Sequence, residues 1–217
     1  RSIFGWLGVT FMFAAVTLIP VSDAISISFI NPVFAMILAF LFLKEKVSLV
    51  RWLAVGIALV GSIILLRPSF DSFELASFIA FGAALCLGIE VIIIKKLSGM
   101  EAPLQILSIN NSIGFVISIT AASFVWVNPS DRQWAELFAL GVIMVTAQSL
   151  FIQAMRRSNA SYVLPFSYLT LVFATIYYIW VFKSLPDWIS LLGAFTIVSG
   201  SIILSMKEFY EHQDPKI

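Results

Sequence analysis

The stretch DAISISFINPVFAMILAFLFLKEKVSLVRWLAVGIALVGSIILLRP (23–68) decides the fold. Two long apolar runs flank the charged connector KEKVSLVR (44–51), and neither run alternates with period two. A strand of a membrane barrel needs about ten residues of strict alternation, whereas runs apolar on every side suit helices surrounded by lipid. Two pieces of this stretch return 139 residues later. VFA at 33–35 reappears at 172–174, and GSIIL at 61–65 reappears at 200–204. The same offset sets Ser22 on Ser161, Ser28 on Ser167, Ile37 on Ile176 and Lys44 on Lys183 without a gap.

Composition agrees with a lipid solvent. Of 217 residues, 60% are hydrophobic and 12% charged, with mean hydropathy +1.02. Soluble domains carry about 25% charged residues, and a water-facing surface could not be covered with what remains here. These figures exclude a secreted disulfide scaffold, a nucleic-acid-binding domain and an ordinary cytosolic enzyme. Cys86 lies alone in an apolar run and reads as a small packing residue. His212 is the sole histidine and sits in a polar tail. No cofactor or metal is expected.

A span needs about 20 apolar residues to cross about 30 Å of hydrocarbon. Eight candidates lie between the charged clusters, at 2–18, 23–43, 51–66, 73–94, 103–127, 134–155, 161–182 and 188–206. Alternating them puts ten of the 13 Lys and Arg on one side: Arg1, Lys44, Lys46, Arg51, Lys95, Lys96, Arg156, Arg157, Lys207 and Lys216. Arg67, Arg132 and Lys183 fall on the other. The positive-inside rule makes the ten-charge side cytoplasmic, with both termini there. The repeat matches span two to seven and three to eight. Five spans is an odd number, so matched helices cross in opposite directions, which is an inverted-topology repeat. The expected fold is therefore an all-α integral membrane bundle of two inverted repeats. Residues 1–68 form the first repeat with three helices, 69–206 the second with five, and 207–217 a polar, mobile cytoplasmic tail. If the halves are built alike, two helices precede Arg1.

The run 23–68 resembles the first-repeat signature of EamA-type drug/metabolite transporters, with Pro32 in mid-helix, Leu43-x-Glu45, an Arg51-Trp52 start, Gly56 and Gly61. Residues 147–204 are similar to the second repeat at Gln148, Ala154, Pro165, Tyr168, Pro186, Asp187, Gly193 and Gly200. The resemblance implies ten helices in two inverted halves, cytoplasmic termini and a multi-pass place in a bacterial inner (plasma) membrane. It implies transport of a small organic solute such as an amino acid, a nucleotide-type metabolite or a toxic compound. Ser184 departs from the pattern, standing where an acidic residue matching Glu45 is common, and Gly56 aligns with Phe195.

A carrier must offer polar groups inside a medium that penalises them, so intramembrane polar residues are the candidates. Pro32 frees the carbonyl of Ser28 beside Asn31, and Pro165 frees that of Ser161. Both prolines are candidate hinges, and a kink satisfied by neighbouring groups is the alternative. Glu90, on the stripe Gly82, Cys86, Glu90, reads as a proton-coupling or amine-binding carboxylate, or as one that snorkels to Lys95 or Lys96. Thr146, Ser149 and Gln153 share a face of span six. Gln105, Ser108 and Ser112 share one of span five near Asn110 and Asn111, where interhelical hydrogen bonding is the plainer account. The family's cavity-lining helices rank Gln148 above those asparagines. Tyr168 is deep enough to meet solute, whereas Tyr177, Tyr178 and Trp180 suit an aromatic belt. Glu45, in the basic loop KEK, is explained more cheaply by local charge pairing and helix-end electrostatics than by transport. The expected solute-lining set is Ser28, Asn31, Glu90, Gln148, Ser167 and Tyr168. Proton coupling and a homodimer accompany it as partner expectations, and nucleic acid does not.

Two other functions compete. An intramembrane enzyme needs a nucleophile–base pair or metal ligands within the spans, and no intramembrane His exists to supply them. A non-transporting assembly partner or degenerate family member stays open.

Overall fold

The computed structural model describes residues 1–69, 75–124, 126–183 and 185–213. Those residues form helices joined by short connections, with no strand among them. The order is α1 (Ser2–Val16), α2 (Val21–Ser28), α3 (Asn31–Phe42), α4 (Leu49–Leu66), α5 (Leu75–Ser98), α6 (Pro103–Ala122), α7 (Asp131–Arg157), α8 (Ala160–Val163), a 3₁₀ turn (Leu164–Tyr168), α9 (Leu169–Phe182) and α10 (Trp188–Gln213).

Among the described residues, seven helical segments are long and apolar enough to cross a bilayer, with α2–α3 and α8–α9 each counted as one. α1 is a further, shorter apolar helix that stops at Val16, two residues before the expected end of the first span. α7 begins at Asp131 rather than at 134, because Ser130 and Gln133 close a capping box: Ser130 N–H donates to Gln133 Oε1 at 2.8 Å. α10 runs on to Gln213, within the segment 207–217 expected as a tail, and residues 214–217 lie outside the described residues. Ser184 lies outside the described residues.

The repeat governs where matched elements start. α2 and α8 begin at 21 and 160, α4 and α10 at 49 and 188, and Lys44 and Lys183 each adopt φ of 53°. All three pairs differ by 139. Spans two and seven, each expected as one helix with a proline hinge or kink, are both broken. In span two the break falls at Phe29–Ile30, so Pro32 sits in the first turn of α3, where a missing N–H leaves no intrahelical gap. In span seven it is the 3₁₀ turn that contains Pro165.

α4 and α10 pack through small residues. A Cβ on Gly61 would meet the Gly193 carbonyl at 2.9 Å, and one on Gly193 would meet the Gly61 carbonyl at 2.9 Å. A Cβ on Gly200 would meet the Ala54 carbonyl at 3.1 Å. Under the 139-residue offset Gly61 maps to Gly200 and Ala54 to Gly193, so these two approaches are images of each other. As numbers rise along α4 they fall along its neighbours on α10. The matched helices run antiparallel, as an inverted repeat requires. Gly56, by contrast, has open space where its Cβ would lie, which explains why Phe195 is tolerated at the matching place.

Phe29 and Tyr168 are also 139 apart. Their rings stack at 5.6 Å, and the Tyr168 hydroxyl donates to the Phe29 carbonyl at 2.7 Å. Two image residues in mutual contact must straddle the local two-fold axis. The larger buried cluster gathers around them, with Met36, Val55, Ile152, Leu164 and Ile197.

Candidate functional site

α1 reaches α5 across glycines. The Leu87 side chain fills the space over Gly8, and the Glu90 carboxylate lies over Gly5, where a Cβ would sit 2.8 Å from it. With no side chain between them, Arg1 Nε donates to Glu90 Oε1 at 3.3 Å, and the two side chains are 6% and 18% exposed. Glu90 is thus not the snorkelling partner of Lys95 or Lys96. Lys95 Nζ donates to the Met155 and Ser158 carbonyls, both at 2.7 Å, where the end of α7 concentrates unpaired carbonyls.

Arg1, Glu90 and Gln148 line a cavity of about 320 Å3 between α1, α5 and α7, walled by Val91, Ile94, Ala147 and Phe151. Arg1 Nη1 and Gln148 Oε1 are buried there without a hydrogen-bond partner. Each costs about 1–3 kcal/mol unless something occupies the cavity. One is a donor and the other an acceptor, so the pair suits a molecule carrying both functions. The charges of Arg1 and Glu90 balance.

Glu90 and Gln148 are therefore brought together, and the other sequence candidates are not with them. Ser28 and Asn31 flank the break of span two. α3 crosses α5 near Gly88, where a Cβ would lie 3.3 Å from the Asn31 carbonyl. Ser167 Oγ donates to the Leu164 carbonyl at 2.6 Å and closes the 3₁₀ turn. Tyr168 is fully buried with its hydroxyl committed to Phe29. The carbonyl employed at the span-two break is thus that of Phe29, not of Ser28. Gln105 and Asn110 line a neighbouring cavity of about 300 Å3 with Arg1, Ser2 and Glu101, where Ser2 Oγ donates to Asn110 Oδ1 at 3.0 Å. Arg1 borders both cavities.

Glu45 is held at a helix end rather than by the lysines beside it. Its carboxylate crosses to α8, accepting from Ala160 N–H at 2.9 Å, Ser161 N–H at 3.1 Å and Ser161 Oγ at 2.8 Å. Arg51 Nη1 donates to the same Ser161 Oγ at 2.8 Å. At the opposite end, Asp23 accepts from Ser69 N–H and Ser69 Oγ at 3.0 and 2.8 Å. There Arg67 pairs with Asp187, which also accepts from Ser190 Oγ at 2.7 Å. These bonds, Arg67 first, hold the Asp187 carboxyl down at about 2.

The chain matches the EamA-like transporter family over residues 1–67 and 74–206. It belongs to that family. Among curated EamA relatives, an S-adenosylmethionine uptake transporter of Rickettsia bellii is 30% identical over 96% of this chain and 72% of its own length. A riboflavin transporter of Vibrio cholerae is 29% identical over 88% and 64%. A pseudopaline exporter of Pseudomonas aeruginosa is 26% identical over 94% and 73%. A crystal structure at 16% identity superposes with a TM-score of 0.79 over 94% of this chain and 75% of that one, which shows the fold. This EamA chain is a multi-span membrane transporter of a small molecule, not an enzyme.

Proposed function

We propose that the chain moves a small organic solute by alternating access of its two inverted repeats, with the Arg1–Glu90–Gln148 cavity as part of the solute path. One observation carries the reading: a buried donor and a buried acceptor, both unpartnered, face one cavity between helices of different halves. Glu90 is the coupling carboxylate, exchanging Arg1 for a proton as the cavity changes its exposure. Ser28, Asn31, Ser167 and Tyr168 border the path at the two helix breaks, and Pro32 and Pro165 serve as hinges there.

The same reading includes a bacterial inner membrane, both termini in the cytoplasm and a homodimer. It places two further helices before Arg1. The two-fold supports them: α5 lies against α1, α2 and α3, and its image would lie against α7 and α9, where Phe138, Ile143, Phe173 and Ile176 stand exposed.

The test is flux into vesicles holding the full-length protein, with S-adenosylmethionine, riboflavin and amino acids first in the panel. Saturable uptake that falls at least tenfold in Gln148→Ala supports the reading. No flux for any solute, with or without a proton gradient, overturns it. Proton-dependent uptake unchanged in Glu90→Gln removes Glu90 from coupling.

A further inference from the structure

We propose that the groove between α3 and α5 holds an anionic phospholipid, its acyl chain on the apolar wall and its phosphate at Lys96 and Lys44. The groove measures about 580 Å3 and is lined by Leu38, Phe42 and Leu43 on one side and Ile89, Ile92 and Ile93 on the other, with Lys96 completing it. Ile89, Ile92, Ile93 and Lys96 fall at i, i+3, i+4 and i+7, one stripe of α5 that ends in an ammonium. Leu38 and Phe42 form the facing stripe of α3, and Lys44 follows directly after Leu43. The two helices end on the same side of the bundle, so an elongated molecule would meet an apolar trough first and cations at its end.

Charge settles which lipid fits. Adjacent side chains on a helix point about 100° apart, so Lys95 and Lys96 divide: Lys95 is consumed by the carbonyls of α7, and Lys96 is left exposed at the groove. Lys44 and Lys46 are exposed too, with no ion-pair partner among the described residues. The carboxylate between them, Glu45, is turned away onto α8. Lys96 thus closes an apolar trough whose last α3-side residue, Leu43, runs directly into Lys44, and no anion among the described residues pairs with either ammonium to balance its charge. A phosphate bearing net negative charge supplies that balance, and a zwitterionic headgroup does not. Phe40, Leu41 and Phe81 are exposed beside the groove, so this is a face turned to lipid rather than to the solute cavity.

The experiment titrates delipidated full-length protein in detergent with phosphatidylglycerol and with phosphatidylcholine of identical chains, counting bound lipids by native mass spectrometry. Wild type should bind one phosphatidylglycerol at least tenfold more tightly than phosphatidylcholine. The Lys44→Gln/Lys96→Gln pair should lose that preference, Lys96→Arg should keep it, and Lys183→Gln at the other end should not alter it. Ile93→Trp, which fills the trough and leaves every charge, should weaken both lipids; it carries the test should the lysine pair lose helical signal by circular dichroism. Equal affinity for the two lipids in wild type overturns the proposal. So does a preference that survives the lysine pair, follows Lys183, or ignores Ile93→Trp.

Discussion

Arg1 and Glu90 owe their pairing to what Gly5 lacks. Any side chain at position 5 would displace the carboxylate, and either charge alone, so little exposed, would be costly. Glu90→Gln should therefore insert normally yet melt earlier, by about 3 kcal/mol of stability, because it leaves a buried guanidinium without its anion. The Arg1→Gln/Glu90→Gln pair should recover more than half of that loss. Thermal melting of the four proteins in detergent measures the coupling; additive losses would mean that the two side chains do not interact. Tyr168 presents the neutral counterpart. Removing its hydroxyl in Tyr168→Phe leaves the Phe29 carbonyl without a donor and should cost about 1 kcal/mol, in the range of interhelical hydrogen bonds within membranes. A melting temperature equal to wild type would show that another donor takes its place. Of this chemistry, the sequence made Glu90 and Gln148 legible as isolated polar residues in apolar runs. It hid Arg1, which looked like one more interfacial cation, because the partner of a carboxylate 89 positions away is chosen by helix packing rather than by spacing.

At the scale of elements, matching segments were readable and helix continuity was not. A run such as 161–182 has no residue that forbids a helix after its first turns, and the 3₁₀ turn is imposed by packing around the axis. The partner of Glu45 was hidden for a similar reason: two lysines beside it satisfy any local rule, yet two N–H groups and the Ser161 hydroxyl at the opening of α8 offer three hydrogen bonds to one carboxylate. The α4–α10 contact has the reverse character, since two of its three glycines, Gly61 and Gly200, open the repeated pentapeptide itself. Gly61→Leu should separate the two helices, because its Cβ would lie 2.9 Å from the Gly193 carbonyl and backbone cannot swing aside as a side chain can. We expect a loss of at least 2 kcal/mol, in the upper range for overpacking, while Gly56→Leu on the open face stays within about 0.5 kcal/mol of wild type. Equal melting of the two variants would deny the crossing its role. Beyond the membrane the Arg67–Asp187 pair links the end of α4 to the start of α10. Its pH dependence has a fixed sign. The folded carboxyl sits at about 2 against an ordinary 3.8, so the contribution is whole above pH 4 and disappears as pH falls towards 2. The difference in melting between wild type and Asp187→Asn should be flat from pH 8 to 5 and shrink below 4. A difference that grows on acidification would assign the low value to some other state.

For the whole molecule the decisive quantity is handedness through the bilayer. Lys44 and Lys183 share a left-handed backbone, follow matched helices and stand 139 residues apart, and the antiparallel α4 and α10 that come after them inherit opposite directions. Symmetry of this kind allows one fold to present two faces: whatever arrangement one half adopts, the other can adopt upside-down, and exchanging the two opens the opposite side. Its consequence is a labelling pattern. In a full-length protein with every native cysteine, Cys86 included, replaced by Ala, single cysteines at 44 and 183 should react with a membrane-impermeant maleimide from opposite sides of sealed vesicles, with Lys44→Cys protected outside intact cells and Lys183→Cys labelled. Inverted vesicles should reverse the pattern. Labelling of both from one side would mean that the matched helices cross in the same direction, and no exchange of halves could then carry a solute from one compartment to the other.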